Sequence, residues 1–208
     1  MLRGAFKRRL LQTFLASAVA SSAITSTAVA GPLVEAAGAC QAAQLSEPFL
    51  RWLDPMRYTP VNDGGIERRA AGWQLTGGAT PVLGNEPWTV GAVTDRRSLS
   101  LPEGASATTA PICVGIAEPT LRFFARSASA GRAELTVEVL FEDAAGTVRA
   151  LPIGTDAGGP WHPTAVMPVI ANLLPLVPGE QTPVAFRFTA RRGAVQIDDV
   201  YVDPWCQR

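Results

Sequence analysis

The chain has 208 residues, 47% of them hydrophobic and 17% charged, which is enough apolar material for one sizeable core and excludes a disordered polypeptide. The basic residues before position 31 are Arg3, Lys7, Arg8 and Arg9, and every acidic residue follows them, so from Gly31 onward 14 basic groups face 18 acidic ones, a net of −4. Phosphate recognition needs a basic patch, so this balance argues against nucleic acid as a partner.

Residues 1–9 are positive, residues 10–30 are uncharged, and the run ends in Ala28-Val29-Ala30. This is the layout of a secretory signal peptide spanning 1–30. Ser17, Ser21, Ser22, Thr25, Ser26 and Thr27 make the stretch a poor permanent anchor, so the expected product is secreted or held at the cell envelope, with no membrane insertion after cleavage. Export places the three cysteines, Cys40, Cys113 and Cys206, in an oxidising compartment. The favoured pairing is Cys40–Cys113, with Cys206 in the terminal tail; Cys40–Cys206 is the alternative. Their spacing fits no zinc pattern.

Residues 31–47 read as an Ala-rich linker with a helical turn. From 48 to 205 short runs recur every 8–12 residues between Gly, Pro, Asn and Asp, the pattern of an all-β sandwich. Pro48–Leu53 is expected to open it, followed by runs at Gly72–Leu75, Pro81–Leu83, Trp88–Val90 and Arg97–Leu101. In Leu121–Arg126, Leu121, Phe123 and Ala125 oppose Arg122, Phe124 and Arg126. In Ala133–Glu142, Leu135, Val137, Val139 and Phe141 form an apolar face. This period of two marks strands with one dry side. Asp143 to Gly146 reads as a turn, and Thr147–Ile153 returns from it. Four prolines, at 163, 168, 175 and 178, forbid a long helix after Trp161, although Val169–Leu174 fits a helical turn. Val184, Phe186 and Phe188 alternate with polar neighbours, and Gln196–Val202 closes the domain.

Two motifs carry chemistry. Asp63-Gly64-Gly65-Ile66-Glu67 is followed six residues later by Trp73, and Ile197-Asp198-Asp199-Val200-Tyr201-Val202 lies near the end. Strict alternation places Asp198 with Val200 and Val202 on the core face, where a carboxylate needs a partner or a cation. A carboxylate from each end of the domain, with backbone carbonyls, makes a hard-oxygen site suited to calcium. Backbone amides or Arg68, Arg69 and Arg187 are the alternative partners.

The Gly-Gly-Ile-Glu start, the Gly-Trp, the Arg-Ser-Leu strand and the terminal Ile-Asp-Asp-Val strand resemble the carbohydrate-binding modules of the galactose-binding-like jelly roll, the families 4, 9 and 22 type, over about residues 62–204. The chain is also similar to secreted bacterial proteins of comparable length. The resemblance implies a single jelly-roll β-sandwich that binds a polysaccharide or other glycan without catalysis. It also implies a structural calcium held by Glu67 and Asp198. The family's sugar-binding aromatics do not map onto particular positions, and Ile66 stands where the family usually has Phe.

Trp73 and Trp52 read as core. The residues chosen as ligand-binding are Trp88, Trp161, Tyr58 and Tyr201, whose rings could pack on sugar C–H groups, with Arg122 and Arg126 as hydrogen-bond donors. Arg122, Arg126, Glu134, Glu138 and Arg187 are expected on the polar side of neighbouring strands, either flooring a cleft or forming a ladder of opposite charges. His162 is the one histidine, no Gly-x-Ser-x-Gly elbow is present, and no metalloprotease spacing occurs, so a small secreted hydrolase is the least favoured reading. A cell-surface structural or protein-interaction domain is the alternative to a sugar binder.

Overall fold

The computed structural model describes residues 31–37, 44–115, 120–143, 145–169 and 181–203. The elements are helix α1 (Pro32–Ala37), a 3₁₀ turn (Leu50–Trp52), and strands β1 (Thr59–Pro60), β2 (Gln74–Thr76), β3 (Thr80–Leu83), β4 (Arg97–Leu101), β5 (Ser106–Thr108), β6 (Ile112–Gly115), β7 (Thr120–Ser127), β8 (Glu134–Glu142), β9 (Val148–Asp156), β10 (His162–Pro163), β11 (Met167–Pro168), β12 (Gln181–Arg192) and β13 (Val195–Asp203). The helical turn expected in the linker is α1. Among the described residues no helix is long and apolar enough to cross a membrane.

The strands form two antiparallel sheets. One has seven strands in the order β10-β7-β13-β4-β3, with β1 added to β13 and β11 to β7; the other has six in the order β2-β5-β12-β8-β9, with β6 added to β12. The chain passes repeatedly between the sheets, so the fold is a jelly-roll β-sandwich. Between them lies the core: Leu99, Leu101, Leu121, Phe123 and Ala125 from one sheet meet Leu135, Val137, Val139, Val184, Phe186 and Phe188 from the other. These are the inward positions of the alternating runs. Trp73 is buried among them, stacked on Phe188 with ring centroids 5.9 Å apart.

Three features depart from the expected pattern. Pro48–Leu53 is a 3₁₀ turn rather than a strand. Its large rings, Phe49 and Trp52, are three residues apart, which places them together on a turn of period three and on opposite sides of a strand. Trp88–Val90 is also a turn: both Glu86 carboxylate oxygens are engaged, one by the Trp88 amide and one by the Val90 amide at 2.6 Å, and Thr89 has φ 51°. A side chain that captures successive amides withdraws them from a ladder.

The third departure matters most for the site. β13 pairs with β7 in register up to Asp198↔Phe124, then resumes at Tyr201↔Arg122, so two residues of β13, Asp199 and Val200, bulge opposite the single residue Phe123. Asp199 turns the backbone there with φ 49°. Ile197 therefore faces the core while Asp198, paired with Phe124, faces outward; Val200 and Val202 return to the core. The expected grouping of Asp198 with Val200 and Val202 is overturned, because a bulge shifts the parity of every residue on one side of it.

Candidate functional site

The outer face of the seven-stranded sheet carries a second cluster of rings. Phe49, Tyr58, Phe124 and Tyr201 are buried there, with Trp52, Met56, Trp88, Val90 and Trp161 packed partly buried around them. Phe124 and Tyr201 project from β7 and β13 because they occupy outward positions. Phe49 stacks on Phe124 at 5.3 Å and 20°, and meets Tyr58 edge-on at 4.9 Å and Tyr201 at 5.9 Å. Trp52 stands edge-on to both Trp88 at 4.8 Å and Phe124 at 5.2 Å.

The segment 46–58 closes over this face. Ser46 and Tyr58 pair through reciprocal backbone hydrogen bonds, and the Tyr58 hydroxyl donates to Asp54 Oδ2 at 2.7 Å. The same oxygen accepts from Arg122 Nη1, while Arg122 Nε donates to the Thr164 carbonyl at 2.9 Å and its guanidinium lies 4.5 Å from the Phe49 ring centre. Burial, then the Asp54 hydrogen bond and charge, raise the Tyr58 phenol, which keeps it a neutral donor. Arg126 lies 5.3 Å from the Trp161 ring centre and donates from Nε to Gln196 Oε1 at 2.6 Å.

All six residues expected to bind ligand thus come to one face, in two layers. Tyr58 and Tyr201 are 1% and 4% exposed, so neither ring can offer a face to a sugar; together with Arg122 they hold Phe49 and the 46–58 segment in place. Trp88, Trp161 and Arg126 stay at the accessible rim. Trp52, which reads in sequence as core, belongs to this rim as well; the apolar run around it gave no sign of its exposure. Arg122 and Arg126 do not share a face with Glu134, Glu138 and Arg187, because β8 and β12 belong to the other sheet. There Arg187 sits directly across from Glu138, with Nε to Oε2 at 2.8 Å, a cross-strand pair that raises the Arg187 guanidinium.

Beside the rim lies a group of carboxylates. Glu67 Oε1 accepts the amides of Arg96 and Arg97 at 2.6 and 2.7 Å, fixing the entry to β4. Asp198 Oδ1 accepts the Asp199 amide at 2.9 Å and Oδ2 the Glu86 amide at 3.2 Å. Both expected metal ligands therefore have backbone amides as partners. Asp199 is different: it is 2% exposed and, among the described residues, its Oδ2 has no hydrogen-bond partner. Its Oδ1 lies where a Cβ on Gly91 would come within 2.7 Å and one on Gly65 within 3.1 Å. Burial first, then the charge of Asp199, raise the Asp198 carboxyl far above the usual range; burial, then Glu86 and Asp95, do the same for Asp199. Asp95 is raised by burial and by Glu67 and Glu86. Among the described residues no three His, Cys, Asp or Glu side chains stand in metal-holding geometry. A cation here would rest on Asp199 together with backbone oxygens, of which calcium accepts many.

His162 is engaged at both ring nitrogens, Nδ1 with the Pro160 carbonyl at 2.8 Å and Nε2 with Asp156 Oδ2 at 2.9 Å. Cys113 lies on β6; Cys40, Cys206, the expected signal segment, and all of Val169–Leu174 beyond Val169 fall outside the described residues.

No protein-family model matches the chain, and no curated protein matches its sequence. Solved structures of the same class do. The sandwich is similar to the family 22 and glycoside hydrolase 10 modules of the Clostridium thermocellum endo-1,4-beta-D-xylanase 10B complexed with xylohexaose, at 14% identity and TM-score 0.47, covering 65% of this chain and 26% of that one, about a quarter. It is similar to the xylan-binding CBM22-1 domain of Paenibacillus barcinonensis Xyn10C, at 12% identity and TM-score 0.48, covering 82% of this chain and 100% of that one. It is also similar to TmCBM61 in complex with beta-1,4-galactotriose, at 17% identity and TM-score 0.41, covering 69% and 97%.

Proposed function

We propose that the chain is a secreted, non-catalytic carbohydrate-binding module, and that its ligand lies on the outer face of the seven-stranded sheet against Trp52, Trp88 and Trp161, with Arg126 as a hydrogen-bond donor. The observation that carries this reading is the gathering of three partly buried indoles on one sheet face, held by a buried layer of rings beneath. Indoles pack on sugar C–H groups, and a guanidinium beside them can bond hydroxyls. The Phe49 layer means that the sugar would contact the rim and would not enter the sheet. A calcium ion held through Asp199 is part of this proposal; it would satisfy the orphaned oxygen and offset the crowding of Glu86, Asp95 and Asp198.

The test is a binding panel of polysaccharides with xylohexaose and β-1,4-galactotriose, run on the exported protein with calcium and again with chelator. Binding that Trp88→Ala or Trp161→Ala weakens at least ~10-fold, and that Arg187→Ala leaves unchanged, supports the rim. Silence across the panel from folded protein sinks the carbohydrate reading. A second reading, a protein-interaction domain, is favoured by Leu50 and Leu53, 52% and 93% exposed on the same covering segment. In that case a partner whose binding is lost in Leu53→Asp replaces the sugar.

A further inference from the structure

Helix α1 packs against β8 and β12 at the end of the sandwich where β8 turns into β9. Gly31, just before it, is buried there. Its nitrogen donates to Glu142 Oε2 at 3.0 Å, while Glu142 Oε1 accepts from the Leu33 amide and, at 3.2 Å, from the Val34 amide. The fit is steric as well as polar. A Cβ on Gly31 would sit 2.5 Å from the Gly146 carbonyl oxygen and 2.7 Å from Glu142 Cδ. The turn that presents Glu142 is itself well fixed: Asp143 Oδ1 accepts the amides of Ala145 and Thr147, each at 3.0 Å, Oδ2 accepts Arg149 Nε at 2.7 Å, and Gly146 has φ 72°.

Gly31 is also the first residue after Ala28-Val29-Ala30. We propose that removal of residues 1–30 delivers the new α-amino group of Gly31 directly onto the Glu142 carboxylate, an ion pair that locks the processed terminus onto the β8–β9 hairpin. The inference rests on the secretory reading. Hydrolysis of the Ala30–Gly31 amide by a leader peptidase consumes one water. The C–N bond breaks, a C–O bond forms at Ala30, and the products are the Ala30 carboxylate and the Gly31 ammonium. The nitrogen thereby changes from a neutral amide with one N–H into a cation with three, opposite an anion already in place. No side chain but glycine's fits the cradle, which makes Gly31 the residue that can both follow the cleavage point and reach Glu142. The charged groups around it are Glu142 on β8, Asp143 and Arg149 paired with each other across the turn, and Glu35 on α1; the facing end of β12, Gln181 to Pro183, is uncharged.

The sequence supplies a clean assay. Lys7 is the one lysine, so a chain beginning at Gly31 carries a single primary amine. The full chain is expressed with its own leader in an exporting bacterium, its terminus is read by N-terminal sequencing and intact mass, and its amine is titrated by pH-dependent acylation. A free α-amino group titrates near pH 8, and the carboxylate is expected to raise that by about one unit. The raised value is expected to return to about 8 in Glu142→Gln and in urea-unfolded wild-type protein, the latter serving if the variant fails to fold. A terminus elsewhere overturns the leader reading and this inference with it. A terminus at Gly31 whose amine titrates normally, or stays raised in folded Glu142→Gln, overturns the docking alone.

Discussion

One extra residue in β13, where Asp199 and Val200 together stand opposite Phe123, decides which side of the sheet each neighbouring carboxylate occupies. The bulge turns Asp198 outward beneath Glu86 and leaves Asp199 buried with an oxygen that no described residue satisfies. A carboxyl whose folded value is raised favours the protonated fold, so its unfavourable contribution grows as pH climbs past the ordinary carboxylate range near 4. Chelated protein is therefore expected to melt lower at pH 7 than at pH 5, with calcium restoring the loss. Asp199→Asn should flatten that pH dependence and abolish the calcium response. His162 runs the other way. Its hydrogen bond to Asp156 raises it against the opposing effect of burial, and Asp156 is lowered by the same bond despite its own burial. Both ring nitrogens face acceptors, an arrangement that suits the imidazolium. Its stabilisation is fully present below the unfolded value near 6.5 and is lost as pH rises through the folded value. As the one histidine in the chain, His162 gives a single imidazole signal by NMR; a titration midpoint at or below 6.5 would falsify this stabilising role of the His162–Asp156 bond. Glu67, Asp198 and Asp199 were legible in the sequence, but Glu86 and Asp95 were not, nor were the roles of any of them, because a bulge leaves no mark in an alternation of residue types.

At the scale of elements, the long strands were readable because one face of each is buried, which writes a period of two into the chain. β4, β7, β8 and β12 follow it closely. The covering segment was not readable, since its rings are spaced for a turn while its composition resembles a strand. Phe49 is the anchor of that segment. Phe49→Ala is expected to cost about 3–5 kcal/mol in chemical denaturation, the usual penalty for emptying a buried ring site. It should also raise the accessibility of Tyr58 and Tyr201. The Arg187–Glu138 pair offers a contrast on the opposite face. Arg187 is about one-third exposed, and its removal is expected to cost less than about 1 kcal/mol, as exposed cross-strand pairs do.

For the whole molecule, the ring cluster and the core lie on opposite sides of the seven-stranded sheet, so β13 at its centre is buried on both faces along its whole length. No periodicity could announce this: a strand buried on both sides loses its polar alternation. We also propose the Cys40–Cys113 disulfide, which would tether the chain's beginning to β6 and so to the six-stranded sheet. Non-reducing peptide mapping is expected to recover that pair. Its reduction should cost about 4 kcal/mol, the scale for a loop of several tens of residues; recovery of Cys40 joined to Cys206 would replace it.

The position of β13 has a further meaning in time. The strand that β1, β4 and β7 all pair with is the last of the described strands. During synthesis those three wait without their shared neighbour until residues 195–203 have emerged, and the sandwich cannot close before then. Contacts this distant in sequence form slowly. A newborn polypeptide of this design stays open and pliable until that strand arrives.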